Sequence, residues 1–374
     1  MKLSIQRDDL VRLATRAASV ADKSNPMPYA SAVLLEGLHT GDGLRVTARD
    51  AVLTIIDEGR ALVHDAGVVA VDAHRLAEVV RVLPDGEVKL ATDDKVLSVK
   101  AGASSFRIPL LECDGFPRPD GLNLADKVAT LHTDGLMLRV ALRKVAHAVA
   151  GDDNRYGLSG IHVVPPVPHE SPALFVATDG TRLAHVEVYG TMEGTPARRT
   201  LIPRRAIAEL VKVTEGCDAT PMRLEFGARS MVATIASTVL VVRLLEADFP
   251  AYKEVLPRGY KERVVIDRDT LGQALKRVAI VADDKAHTVR LTASGEELLL
   301  WAGDANGQTA RDTVACEVEG SVTLGMNARL LADALAQCPE GTVHLECSGP
   351  LAPVVVRGQH PSATFYLVMP VRLD

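Results

Sequence analysis

Apolar positions along the chain follow two rhythms, a period near 3.6 and a strict alternation, and the same succession of rhythms returns three times. Leu3 to Asp22 (LSIQRDDLVRLATRAASVAD) and Val265 to Asp283 (VIDRDTLGQALKRVAIVAD) share a strand-like start, an Arg-Asp pair and an apolar helical stretch ending in Val-Ala-Asp. Leu131 to Asp152 (LHTDGLMLRVALRKVAHAVAGD) repeats the plan with a slight insertion. Each reads as a strand entering a helix, with Asp8, Asp134 or Asp269 placed to accept from free backbone N–H groups at its start. A second helix recurs from Asp72, Pro203 and Asn327. Asp72 and Asn327 suit the N-cap, Pro203 suits the first turn, and each helix ends near a glycine, Gly86, Gly216 or Gly341.

Between the two helices of each unit lies an Ala-x-Asp-(Ala/Gly) turn, at Asp50, Asp179 and Asp304, following β-rich runs such as LRVTA, ALFVA and LLLWA. Offsets between the turn aspartates are 129 and 125 residues, and between the second helices 131 and 124, so independent landmarks agree on one period. After each second helix come alternating runs that read as antiparallel strands, for example EVKLATDDKVLSVKAGASSFRIPL. Gly, Pro and charged residues cluster near 120–127 and 254–262. The spacing therefore predicts an α+β fold of three repeated domains, 1–125, 126–258 and 259–374, each with two helices packed on antiparallel sheet.

Length agrees with that division, because 374 residues exceed what one core usually serves. At 47% hydrophobic and 24% charged the composition is that of an ordinary globular protein, and 3% aromatic is low for a protein that stacks single-stranded bases. No apolar run approaches a membrane span and MKLSIQRDDL lacks the apolar core of a signal peptide, so a cytoplasmic location is expected. Cys113, Cys217, Cys316, Cys338 and Cys347 form no CxxC pair and read as reduced, structural thiols.

A net charge of −6 excludes a generally basic nucleic-acid binder and leaves only local segregation of charge. The predicted helices (8–20, 72–83, 134–149, 203–213, 269–281 and 327–337) carry 13 Lys and Arg against 8 Asp and Glu, while the rest of the chain is acidic. If all six show their polar faces to one space, that space is positive and suits a polyanion held without reading its sequence. The plainer reading is solvated helix faces making local ion pairs.

With ATDGTRLA at 177–184, DFPAYKEVLP at 248–257 and the ending YLVMPVRL at 366–373, the triple unit resembles the bacterial DNA polymerase III beta subunit family over essentially the whole chain. The resemblance implies a DNA sliding clamp: a head-to-tail homodimer closing as a ring around double-stranded DNA, nucleoid-associated, loaded by a clamp loader, with neither catalysis nor cofactor of its own. It implies tethering of the replicative polymerase alpha subunit and of repair and translesion polymerases through short clamp-binding peptides. Their pocket corresponds here to Leu158, Thr178, Arg182, Leu183, Pro250, Val255, Asn327, Leu367, Met369, Pro370, Val371 and Arg372. Such residues suit an adaptable apolar cleft, with Arg182 and Arg372 placed to hold polar groups of a peptide. DNA contacts correspond to the loop from Lys23 to Asn25, to Arg155 and Tyr156, and to Arg204 and Arg205. Ring closure corresponds to Phe106 and Ile108 meeting Ile280 and Val281 of the partner, flanked by Arg75 and Val79.

Departures from familiar members fall at Glu254, where a basic residue is common, at Thr181 in place of a frequent His, at Gly157 and at the extra Asp374; they bear on peptide preference and DNA-contact detail. An enzyme reading would rest on Asp152-Asp153 and Asp283-Asp284 as paired carboxylates, or on His169-Glu170 and His344 to Glu346 as metal ligands. The carboxylate pairs recur at one point of two repeats, which marks them as repeat structure, and HExxH, GxSxG and a Walker-type glycine loop are all absent. A second non-enzymatic reading is an accessory clamp-fold protein serving as an interaction scaffold with altered partners.

Overall fold

The computed structural model describes the chain except residues 26, 28, 39–42, 113–115, 117–125, 152–155, 168–171, 198, 283–286, 361 and 374, and Tyr156 by its backbone alone. Arg155, Cys113, the Asp152-Asp153 and Asp283-Asp284 pairs, His169-Glu170 and Asp374 therefore lie outside the described residues. Six α-helices are described: α1 Arg7–Val20, α2 Ala73–Arg81, α3 Gly135–Ala146, α4 Arg204–Thr214, α5 Arg268–Val278 and α6 Ala328–Gln337. Each expected helix is present, with ends moved by up to three residues. By internal contacts the chain forms two compact units, Met1–Arg139 with Gly190–Glu246, and Val140–Tyr189 with Ala247–Asp374, so the central repeat contributes to both.

In the first unit α1 buries Leu10, Leu13, Ala14, Ala17 and Val20, a stripe at helical spacing, with each leucine contributing roughly 2 kcal/mol on leaving water. It packs on strands Leu44–Arg49 and Leu53–Gly59 and on α2. One sheet runs in the order Ala61–Asp65, Lys2–Gln6, Glu87–Thr92, Val96–Ala101, Ser104–Pro109, which leaves Ser104–Pro109 at an open edge. A second sheet joins two repeats: strand Thr238–Arg243 pairs antiparallel with Leu53–Gly59, in the register Val239 to Ile56 and Val242 to Leu53.

In the second unit a long antiparallel sheet runs Gly160–Val164, Ala173–Thr178, Arg182–Val188, Phe365–Val368, Val354–Gly358, Thr342–Cys347, Glu262–Asp267, Glu317–Glu319. A smaller sheet of four described strands runs Thr309–Ala315, Glu297–Gly303, Thr288–Ser294, Val322–Asn327.

The three turn aspartates do one job. Asp50 Oδ1 accepts from the N–H groups of Val52 (2.7 Å) and Leu53 (2.6 Å), Asp179 Oδ1 from Thr181 (2.9 Å) and Arg182 (3.1 Å), and Asp304 Oδ1 from Asn306 (3.0 Å) and Gln308 (2.8 Å). Asp72, Asp134 and Asn327 also accept backbone N–H groups at helix starts as expected. Asp8 and Asp269 do not cap. They sit in the first turn, and the residues before the helices are Gln6, without a side-chain bond, and Asp267, which accepts from the Thr270 N–H. Pro203 likewise precedes α4 instead of opening it.

The reason lies in the neighbouring repeat element. Gly86, Gly216 and Gly341 all adopt positive φ (115°, 72° and 91°), which only glycine tolerates readily, and the chain turns back toward the first helix. The Gly86 carbonyl then accepts from the Arg7 N–H at 2.8 Å and the Gly341 carbonyl from the Arg268 N–H at 2.9 Å, so a backbone carbonyl serves where a side chain was expected. Arginine completes the exchange. Arg7 donates to the carbonyl of Arg81 at the end of α2 (3.1 Å), Arg139 to Thr214 at the end of α4, and Arg268 to Cys338 after α6 (2.9 Å).

A buried ionic seam joins the first repeat to the neighbouring strand and α4. The Asp57 side chain, 3% exposed, accepts from Arg12 and Arg16 of α1 and from Ser237, while Arg16 also donates to Thr238 at 2.7 Å. Glu209 of α4, 1% exposed, takes Ser19 (2.6 Å), Arg205 (3.0 Å) and Lys212 (2.9 Å). Removing one member of a buried pair leaves its partner's charge desolvated. Asp57→Asn is expected to cost about 3 kcal/mol, read as a lower urea midpoint with an unchanged slope; a midpoint equal to that of the parent chain would contradict the seam.

Candidate functional site: an apolar cluster beside the C-terminal tail

Strand Arg182–Val188 pairs with Phe365–Val368 so that Leu183 lies opposite Leu367, and both side chains are buried in a cluster with Leu174, Val176, Tyr252 and Val355. Tyr252 opens a short 3-10 turn, Tyr252–Glu254, flanked by exposed Pro250 and Val255. Met369, 40% exposed, follows the last strand, and its N–H donates to the Thr181 carbonyl at 2.9 Å. Pro370 and Val371 are half-buried and Arg372 is exposed; the Leu158 carbonyl accepts from the Ala150 N–H at 3.0 Å. The structure thus places Leu183, Leu367, Met369, Pro370 and Val371 along one strand pair and its extension, with Leu183 and Leu367 buried.

Three expected ligand groups are already committed. The Thr178 hydroxyl donates to the Arg182 carbonyl at 2.6 Å and accepts from the Gly180 N–H, and the Asn327 side chain caps α6. Arg182 is held by Asp179 at 2.9 Å and by Asp333 of α6 at 2.6 Å, with its side chain only 16% exposed. Its charge is balanced within the protein, so it shapes a wall more than it offers a free cation. Asp333 was not expected from the sequence. Its position one helical turn after Leu330 on the capped helix was the available signal.

Three histidines of this unit pack against aromatic rings. His185 stacks on Phe365 (centroids 4.5 Å apart), His162 on Phe249 (5.0 Å), and His147 meets Tyr366 edge-on (5.4 Å). Burial pushes the His147 imidazole below its ordinary value, and the nearby Arg182 charge pushes the same way; burial does the same to His185. Burial pushes the Asp179 carboxyl up, but hydrogen bonds from Thr181 and the Arg182 guanidinium outweigh it and hold the group below the usual range. Burial also pushes the Cys338 thiol up to about 12, in keeping with an inert core cysteine.

The remaining sequence candidates fall elsewhere. Lys23 is exposed, the Asn25 side chain accepts from the Met27 N–H at 3.0 Å, and Arg204 is exposed at the start of α4. Arg205 is turned inward, onto Asp50, Glu209 and the Ser19 carbonyl. Of the helix cations, Arg12, Arg16, Arg75, Arg139, Arg205, Lys212 and Arg277 have carboxylate partners, so local ion pairing takes a large share of the expected basic face. Lys276 and Arg329 are exposed beside a groove of ≈ 740 Å³ between α5 and α6. Phe106 is half-buried and Ile108 buried on the open-edge strand Ser104–Pro109, near α2 with its exposed Arg75 and buried Val79. Ile280 is 81% exposed and Val281 half-buried in a 3-10 turn after α5, beside the edge strand Thr309–Ala315. His344 and Glu346 face arginines, the former within 2.8 Å of Arg263 and the latter on Arg263 and Arg357. Among the described residues no three His, Cys, Asp or Glu gather as metal ligands, and no helix is long and apolar enough to cross a membrane.

A threefold repeat of helix pairs on antiparallel sheet defines a protein of the clamp fold. Residues 1–120, 132–251 and 253–372 match, in order, the N-terminal, central and C-terminal domains of the DNA polymerase III beta subunit. The chain is 29% identical to the beta sliding clamp of Caulobacter vibrioides (strain NA1000 / CB15N) and 26% identical to that of Escherichia coli (strain K12), each over 100% of both chains. Solved structures agree: a C. crescentus beta sliding clamp with PEG at its proposed beta-motif tethering region superposes with a TM-score of 0.91 at 29% identity, over 100% of both chains. A Pseudomonas aeruginosa sliding clamp bound to griselimycin gives 0.89 at 27%, again over 100% of both. The chain belongs to the DNA polymerase III beta subunit family, and it is a DNA sliding clamp, a non-catalytic processivity factor of DNA replication.

Because His147 and His185 have lowered folded values, the unfolded chain binds protons that the folded chain does not once the pH falls below about 6.5. Stability is present above that pH and is lost as the pH falls toward the folded values. Urea midpoints measured between about pH 7.5 and 5.5 should drop, and the drop should shrink in a His147→Gln, His185→Phe variant; equal slopes would contradict the buried neutral imidazoles.

Proposed function

We propose that two copies of the chain, each with domains at 1–125, 126–258 and 259–374, close head to tail into a ring around double-stranded DNA. The observation that carries this reading is a mismatch of edges. Strand Ser104–Pro109, bearing Phe106, is an open edge in the first unit, and strand Thr309–Ala315, beside the exposed Ile280, is an open edge in the second. Two different edges on one chain fit a heterologous, head-to-tail contact, which closes as a ring when the rotation allows. Pairing them removes both aggregation-prone edges and buries Ile280 and Val281 against Phe106 and Ile108, with Arg75 and Val79 at the flank.

Lys23, Asn25, Arg204 and, on the family pattern, Arg155 and Tyr156 contact the phosphates, while Arg205 mainly fastens α4. The cleft over Leu183 and Leu367 takes short apolar peptides of the replicative polymerase alpha subunit, the clamp loader and repair and translesion polymerases, with Pro250, Val255 and Met369 as its exposed apolar contacts. The C. crescentus structure with PEG at its proposed tethering region and the P. aeruginosa clamp bound to griselimycin support a ligand-accepting surface in relatives. A cytoplasmic, nucleoid-associated location goes with this role.

After loading on nicked circular DNA, the protein should stay with the circle through gel filtration in high salt and be lost when a restriction enzyme linearises it. Equal retention on both forms would overturn encirclement and favour the reading as an accessory scaffold. Ile280→Asp places a charge in the proposed contact and should shift the protein from dimer to monomer in sedimentation velocity at micromolar concentration; an unchanged dimer would remove Ile280 from the interface.

A further inference from the structure

The last residues of the chain pass from one sheet of the second unit to the other within three positions. Phe365–Val368 belongs to the long sheet, the Met369 N–H continues it to the Thr181 carbonyl (2.9 Å), and the Val371 N–H donates to the Gly325 carbonyl at 2.7 Å. Gly325 lies in Val322–Asn327, the edge strand of the smaller sheet, opposite Arg290 on its paired side, and its bridge to Val371 is on the open side. Pro370 has no N–H, so both backbone donors from Met369 to Val371 are satisfied, each by a different sheet.

This crossing requires the backbones to approach more closely than a side chain permits. A Cβ on Gly325 would stand 2.3 Å from the Val371 carbonyl oxygen, 2.9 Å from Leu373 Cδ2 and 3.0 Å from Leu373 Cγ. The leucine could rotate away. The carbonyl oxygen belongs to the backbone and cannot, so the tail would have to lift. Gly325 is not among the residues with positive φ, and alanine suits its extended conformation; the constraint is the tail, not the strand.

We infer that Gly325 is a positioning residue of the peptide cleft: by letting the tail lie against the edge strand it fixes where Met369, Pro370 and Arg372 stand. The inference rests on the reading of this cleft as the peptide site. The same edge strand ends at Asn327, which caps α6, and α6 carries Asp333, which holds Arg182. Arg182 and Thr181 adjoin in the turn that receives Met369. Tail, edge strand, helix and turn thus form a closed circuit of contacts around the cleft, and the Gly325–Val371 link is a step that a methyl group blocks.

The test uses the full chain and its Gly325→Ala variant. Hydrogen exchange at the Val371 amide should be slow in the parent and lose protection in the variant, while the strand Thr288–Ser294 amides keep theirs. A labelled short peptide with Leu and Phe anchors should bind the variant at least about tenfold more weakly, some 1.4 kcal/mol. In chains ending at Val368, Gly325→Ala should add nothing further, a non-additivity that a general loss of folding would not produce. Unchanged Val371 protection would overturn the steric premise, and lost protection with parental peptide affinity would overturn the positioning role. If the parent itself fails to bind the peptide, the cleft reading falls, while the exchange result still decides whether Gly325 docks the tail.

Discussion

Every helix ends with carbonyl groups that its own backbone cannot satisfy. In all three repeats an arginine of the first helix supplies the missing donor to the end of the second: Arg7 to α2, Arg139 to α4 and Arg268 to α6. In the first and third repeats the connection runs both ways, because the glycine carbonyl after the second helix caps the first. The two helices of a repeat therefore terminate each other. The rest of the domain is arranged around this exchange, since the strand entering the first helix and the turn leaving the second must both arrive where the bonds can form.

The repeated landmarks were legible because each is a local rule. Alternation and helical spacing located the six helices, and Asp50, Asp179 and Asp304 announced turns that their carboxylates build within a few residues. The misplaced caps mark the limit of local rules. Asp8 and Asp269 had the right chemistry in the right neighbourhood, but Asp267 takes the side-chain cap of α5, and the carbonyl acceptors at Gly86 and Gly341 lie more than seventy residues away in sequence, where no spacing within the helix reports them. The residues around the C-terminal tail divide in the same way. The pairing of Leu183 with Leu367 joins two of the quoted motifs in one buried cluster, whereas the commitment of Arg182 to Asp333 required knowing that α6 passes beside the turn.

Charge was the property that sequence counting described least well. A surplus of Lys and Arg on helices is a true count, but a count treats each cation as equally free. Asp57 and Glu209 are almost fully buried and each draws in two cations, so that part of the helix charge acts as internal fastening between the first repeat and α4. Arg205 belongs to the same fastening, turned onto Asp50 and Glu209.

The inward commitment of these arginines has a consequence for motion. A protein that must travel along a duplex meets friction in proportion to the phosphate contacts it breaks and remakes at each base pair, because each contact displaces condensed counterions. Cations clamped by the protein's own carboxylates are poor partners for phosphate, since moving them would expose Asp57 or Glu209 unpaired. The seam thereby leaves fewer cations of α1 and α4 at the disposal of a phosphate than their number alone suggests.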